Sequence, residues 1–159
     1  MASMMTLPLT LPAPLAKPLA RVLRLTDRLR WAGPLALRLV IGIAFVATGW
    51  AKLHNLENLT NFFKTLGIPA AHIQAPMVAS IELAGGLLLV LGLGTRLAAA
   101  LLTGVMAVAL LTAIVPNADG LTAVLGSIEA MYLAVFVYLA ANGGGSASLD
   151  HLLWRRADS

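Results

Sequence analysis

Four long apolar runs separated by short polar breaks dominate the pattern along this chain. They read Leu35 to Leu53, Met77 to Thr95, Leu97 to Val115 and Leu121 to Ala141. Each is close to the ~20 residues that carry an α-helix across the hydrocarbon core of a bilayer. One long and two short connections join them, so consecutive runs are expected to pack antiparallel. The pattern predicts an all-α, integral membrane, antiparallel four-helix bundle over residues 34–142, followed by a tail over 143–159.

Ahead of the first run the pattern differs. Residues 1–33 begin with Pro8, Pro12, Pro14 and Pro18 and then turn basic. The charge follows the apolar stretch instead of preceding it, the reverse of a secretory signal, so a disordered tail is expected at the start. Lys17, Arg21, Arg24 and Arg28 then recur at helical spacing, with Leu19, Val22, Leu23 and Leu29 towards the other side. That is an N-terminal amphipathic leader helix, suited to lying on an anionic leaflet or to enforcing orientation. Gly33-Pro34 breaks it.

Composition agrees with the pattern. Of 159 residues, 59% are hydrophobic and 11% charged, against about 25% charged in soluble domains. The mean hydropathy is +0.87. There are no cysteines, which excludes thiolate catalysis, disulfide exchange and cysteine-held clusters. The net charge is +4, yet its clustering beside the first run points to membrane topology and anionic lipid, not to nucleic acid. Arg21, Arg24, Arg28, Arg38 and Arg96 are assigned to topology and lipid contact. With both termini cytoplasmic, as in a bacterial inner membrane, these and Arg155 with Arg156 lie inside, leaving Lys52 and Lys64 outside.

Candidate chemistry rests on the few polar residues within the runs. Glu82 and Glu129 are carboxylates at a depth where an ionisable group normally faces the protein interior and finds a partner. At a rise of about 1.5 Å per residue, they lie about five and eight residues in from the outer ends of their spans. Lys52 ends the first span on that same side. Tyr132 follows Glu129 by one turn, on the same face. Lys52, Glu82, Glu129 and Tyr132 therefore form the candidate polar intramembrane site. It is either a register-fixing ion pair or a pocket that handles protons or binds a polar head such as a quinone carbonyl. Arg38 is expected too far away to join it.

The connection from His54 to Pro76 is long, and Leu56, Leu59, Phe62, Phe63 and Leu66 predict a short amphipathic helix lying over the bundle. No histidine spacing suggests a metal site. Ser80 and Ser127, inside spans without a histidine at their depth, are expected to serve helix packing. Gly143-Gly144-Gly145 is expected to end the fourth helix and not to hold phosphate.

Several short motifs, in order and spacing, resemble the DoxX family of small membrane proteins. They are Arg38-x3-Gly42, Gly49-Trp50-Ala51-Lys52-Leu53, Leu66-Gly67-Ile68-Pro69, Glu82-Leu83 with its following glycines, and Leu91-Gly92-Leu93-Gly94-Thr95-Arg96. Glu129 with Tyr132 and Ser148-Leu149-Asp150 complete the set. The family pattern usually has Gly-Pro-Gly before the last motif. Here Gly144 replaces the proline and Ala147 stands just before Ser148.

The resemblance implies a four-helix bundle associated with quinone-linked oxidoreductases or with membrane redox-stress complexes. It brings no catalytic residue set, and such analogy speaks to fold before function. Without cysteines or a covalent cofactor site, electrons would have to be carried by a bound quinone or by a partner. The leading expectation is thus an accessory or quinone-interacting subunit with redox-protein partners. A membrane scaffold and a small proton-coupled carrier, which would need to form a homo-oligomer, are the alternatives.

Overall fold

The computed structural model describes residues 31–157, with side chains through residue 153. The expected leader, with Arg21, Arg24 and Arg28, lies outside the described residues, as do the side chains of Arg155 and Arg156. The described chain is helical with no strand. Its elements are α1 (Ala32–His54), α2 (Leu56–Thr65), α3 (Ala71–Leu91), α4 (Thr95–Ala109), α5 (Leu121–Leu125), α6 (Ile128–Asn142) and α7 (Leu149–Ala157). A π turn (Leu110–Ile114) and a 3-10 turn (Val115–Asn117) extend α4. Among the described residues, three helices are long and apolar enough to cross a membrane, and α6 is a shorter apolar one. This is the expected membrane helical bundle.

Glycines set how closely the helices approach. In lipid no hydrophobic force drives helices together, so close backbone packing has to supply the association. A Cβ on Gly49 would lie 2.5 Å from the Leu83 backbone nitrogen, and one on Gly86 would lie 2.7 Å from that of Val46. A Cβ on Gly42 would meet the Val90 side chain at 2.8 Å. These pairings, 42 with 90, 46 with 86 and 49 with 83, run in opposite directions along α1 and α3. The two helices therefore form an antiparallel seam with a fixed register. Continued towards one end, that register brings Lys52 to Glu82; towards the other, it brings Arg38 to the turn at Gly92.

Around this seam the core is small: Ile41, Phe45, Leu89, Ala98, Ala99, Leu102, Met106, Phe136 and Leu139. Phe45 lies at its centre, edge-on to Tyr132 (centroids 5.2 Å apart) and to Phe136 (5.0 Å). Edge-to-face contacts of this kind place a positive ring edge on a negative ring face. Many large apolar residues point outwards, among them Val40, Ile43, Leu97, Leu111 and Leu121. In water such a surface would be a liability; on membrane helices it is the lipid-facing side.

Three boundaries depart from expectation. The second span starts at Ala71, not Met77, because Pro76 falls early in α3, where its missing N–H removes one backbone bond without ending the helix. It stops at Leu91, where Gly92 takes a left-handed φ of 69° and the Leu93 N–H closes back on the Leu88 carbonyl. The fourth span is interrupted at Gly126-Ser127. Ser127 caps α6 by accepting a hydrogen bond from the Ala130 N–H at 3.2 Å. Ser127 is thus a helix cap and not the packing hydroxyl expected of it.

The predicted amphipathic helix is α2. Leu56, Leu59, Phe63 and Leu66 are half-buried, while Glu57, Asn58, Asn61 and Lys64 are exposed. Gly67, at φ 70°, ends it. The stretch expected as a tail contains a further helix, α7, capped by Ser148, whose hydroxyl accepts from the His151 N–H.

Candidate functional site

Polar residues gather at the two ends of the seam, about 21 Å apart along α1 at 1.5 Å per residue. At the first end, Lys52 Nζ donates to both oxygens of Glu82, at 2.6 and 2.7 Å. Glu82 is 1% exposed. Because α3 begins at Ala71, Glu82 is near the middle of its helix and deeper than its expected position. The glycine seam makes this direct contact possible: Gly49 is one turn before Lys52 and packs against Leu83, the neighbour of Glu82. Charge-assisted bonds of this length are among the stronger hydrogen bonds in proteins.

Glu82 and Lys52 line a cavity of about 580 Å³ between α1, α2, α3, α4 and α6, within the size range of small-molecule sites. Glu129 and Tyr132 line it as well, so the structure places all four expected site residues on one cavity. Glu129 is not in ion-pair contact with Lys52, which pairs with Glu82 alone among the described residues. The break at Ser127 puts Glu129 in the first turn of α6. Helix N-termini stabilise negative charge.

The remaining walls are mostly apolar. Leu59, Phe62 and Phe63 of α2, with Leu66 just after it, cover one side, and Leu101, Val105 and Val108 of α4 form another. Thr48, Gln74 and Thr112 add polar groups that the expected site lacked. Several lining residues also face outwards: Met77, Leu101 and Val108 are each 50% exposed. The cavity therefore opens to the protein surface beside these apolar residues.

The second end corrects the role expected of Arg38. Assigned to topology and lipid contact, it is 1% exposed and turned into the protein. Its Nη2 donates to the Ala147 carbonyl at 2.9 Å, while Nε and Nη1 have no hydrogen-bond partner among the described residues. The guanidinium packs on Gly92 and Gly144, where added Cβ atoms would collide with Nη1. Asp150 closes this end. Its carboxylate accepts from the Gly94 N–H at 2.7 Å and the Thr95 N–H at 2.9 Å, the free donors at the start of α4. Its own N–H donates to the Gly92 carbonyl at 2.9 Å.

Burial pushes the Asp150 carboxyl up, but the Thr95 and Gly94 backbone donors and the Arg38 charge outweigh it and hold it below its ordinary value. The Thr95 hydroxyl is buried beside this group without a well-aligned partner among the described residues. Ser148-Leu149-Asp150 is the sequence signal for this end, although its partners are not legible there. Arg96, by contrast, is exposed.

The family model DoxX matches residues 33–115 of the chain. "Putative oxidoreductase CatD" of Bacillus subtilis is 30% identical over 128 residues, covering 77% of this chain and 88% of that protein. "Inner membrane protein YqjF" of Escherichia coli is 29% identical over 129 residues, covering 79% and 95%. "Uncharacterized membrane protein Rv3486" of Mycobacterium tuberculosis is 31% identical over 134 residues, covering 77% and 82%. No solved structure matches the chain significantly.

Proposed function

Because the chain belongs to the DoxX family of membrane proteins, we propose that it is an accessory, quinone-interacting subunit of a membrane oxidoreductase system. One observation carries the reading: a cavity that opens between apolar helices combines apolar walls with a polar cluster of Lys52, Glu82, Glu129 and Tyr132. That combination suits a lipid-soluble molecule with a polar head. It is not needed by a scaffold, whose helices have only to pack.

The donor set fits a quinone head. A quinone carbonyl only accepts hydrogen bonds. Lys52 has three N–H donors, of which two are directed at Glu82; the third and the Tyr132 hydroxyl serve the head. Glu82 positions Lys52 and balances its charge. Glu129 can accept a hydrogen bond or hold a proton at its carboxylate. When bound, a quinone supplies two-electron, two-proton carriage that the cysteine-free chain cannot provide. The name of CatD supports an oxidoreductase setting. Electrons would come from a partner protein.

The bacterial inner membrane is the location that goes with this function, in keeping with the name of the inner membrane protein YqjF. Both termini are cytoplasmic, by the distribution of arginines, which puts the polar cavity in the outer half of the bilayer.

Purification in mild detergent, with mass spectrometry of extracted lipids and co-purifying proteins, tests the proposal. The wild type should retain quinone at near-stoichiometric levels together with a redox protein. Glu82→Gln should lose roughly tenfold in quinone affinity, since it weakens the hold on Lys52. If the purified protein neither retains quinone nor binds a decyl-tailed benzoquinone, the reading is wrong.

A further inference from the structure

We propose that the same cavity also takes hydrophobic organic cations, with Glu129 as their counter-charge. This goes beyond the quinone reading, because it concerns a different ligand class and gives Glu129 a different part, that of a counter-charge.

Three charged residues line the cavity: Lys52, Glu82 and Glu129. Lys52 is engaged by both oxygens of Glu82 at 2.6 and 2.7 Å, so those two cancel. Glu129 has no ion-pair partner among the described residues. The cavity thus presents one carboxylate more than it has cations. Its place in the first turn of α6 stabilises that negative charge. The apolar walls strengthen its field, since a charge acts further where water is scarce.

The surroundings decide which kind of cation fits. A small metal ion needs several oxygen ligands in place of its water shell. Among the described residues no group of three His, Cys, Asp or Glu side chains could hold one. A cation suited to this site must bring its own apolar cover. Phe45 and Tyr132 line the cavity, as do Phe62 and Phe63 from α2, and aromatic faces attract organic ammonium and similar ions. Room is available, since a Cβ at Gly104 on the cavity wall would meet nothing within 4 Å. The exposed sides of Met77, Leu101 and Val108 give such a ligand a route from the bilayer, where it would already be concentrated.

Binding of tetraphenylphosphonium to the full chain in nanodiscs tests the proposal, with tetraphenylborate as the anion of matched shape. The expected result is saturable binding of the phosphonium at one site per chain and none of the borate above the empty-nanodisc background. Glu129→Gln should weaken phosphonium binding roughly tenfold or more, as removing one partner of a desolvated charge pair does. Glu129→Asp should restore part of it. Helicity and monodisperse elution of each variant report whether the bundle is intact, and a decyl-tailed benzoquinone titrated against the wild type tests the quinone reading separately.

If Glu129→Gln binds the phosphonium as the wild type does, or if the borate binds equally well, the proposal is wrong. Absent phosphonium binding in a protein that binds the quinone overturns this inference alone. Phosphonium binding without quinone binding overturns the earlier reading and leaves this one standing.

Discussion

Replacing Gly49 with alanine adds one methyl group at the tightest point of the α1–α3 seam. Its Cβ would lie 2.5 Å from the Leu83 backbone nitrogen, whereas ordinary contact begins near 3.4 Å, so the helices must part by about 0.9 Å. No side chain can rotate away, because the obstacle is backbone. One turn further on, the same displacement stretches the 2.6 Å Lys52–Glu82 contact to about 3.5 Å, the limit of a hydrogen bond. Overpacking of this kind costs about 1–3 kcal/mol. Weakening a charged hydrogen bond adds about 1 kcal/mol, taken low because Lys52 is partly exposed and screened. Alanine in place of glycine returns roughly 0.5–1 kcal/mol of backbone entropy.

The net expectation is a loss of about 2 kcal/mol, close to a thirtyfold change in the unfolding constant. The control is Gly104→Ala, the same chemical change at a helical site with open space around it. It should be neutral or stabilising by up to about 1 kcal/mol. Reversible unfolding in mixed micelles, followed by helicity and tryptophan fluorescence, measures both. Equal stability of the two variants, or a Gly49→Ala protein as stable as wild type, would refute the seam as the element that holds the ion pair.

Two further expectations concern the Arg38 end. The lowered folded-state pKa of Asp150 means that its carboxylate stabilises the fold above the unfolded value near 3.8 and ceases to do so as pH falls through the lower folded value. The stability gap between wild type and Asp150→Asn, followed by acid titration of helicity, should be constant near neutrality and close below about pH 3.8; a gap that persists or widens in acid contradicts the assignment. Gly144→Ala puts a Cβ 2.7 Å from both Arg38 Nη1 and Thr95 Oγ1, and should cost about 1–3 kcal/mol in the same unfolding assay unless Arg38 is shortened in the same chain.

The pairing of Lys52 with Glu82 is legible in the chain itself, because membrane chemistry leaves so few options. A carboxylate in an apolar run needs an interior partner, and an antiparallel bundle offers one cation at a compatible depth. Glu129 is harder. Its distance from an assumed helix start suggests a third member of the same cluster. The break at Gly126-Ser127 instead makes it the first-turn residue of a separate helix, lining the cavity without an ion pair among the described residues. Nothing in the local run distinguishes a continuous apolar helix from one that stops and restarts at a serine cap.

Composition and local period were enough to specify a membrane protein that is all-α. They also placed apolar runs of spanning length, an amphipathic helix between the first two, and a lysine–glutamate pair at one depth. Register and contacts between distant segments came only with the folded chain. Arg38 reads as a topology residue because its neighbours in sequence are apolar and its position is near a span's end. Its actual partner, the Ala147 carbonyl, is 109 residues away. It reaches that carbonyl because the glycine seam aligns α1 with the Gly92 turn and because α6 returns the chain to the same end. Hydropathy is a property of each segment alone, whereas burial of a charge is a property of what the other segments bring to it.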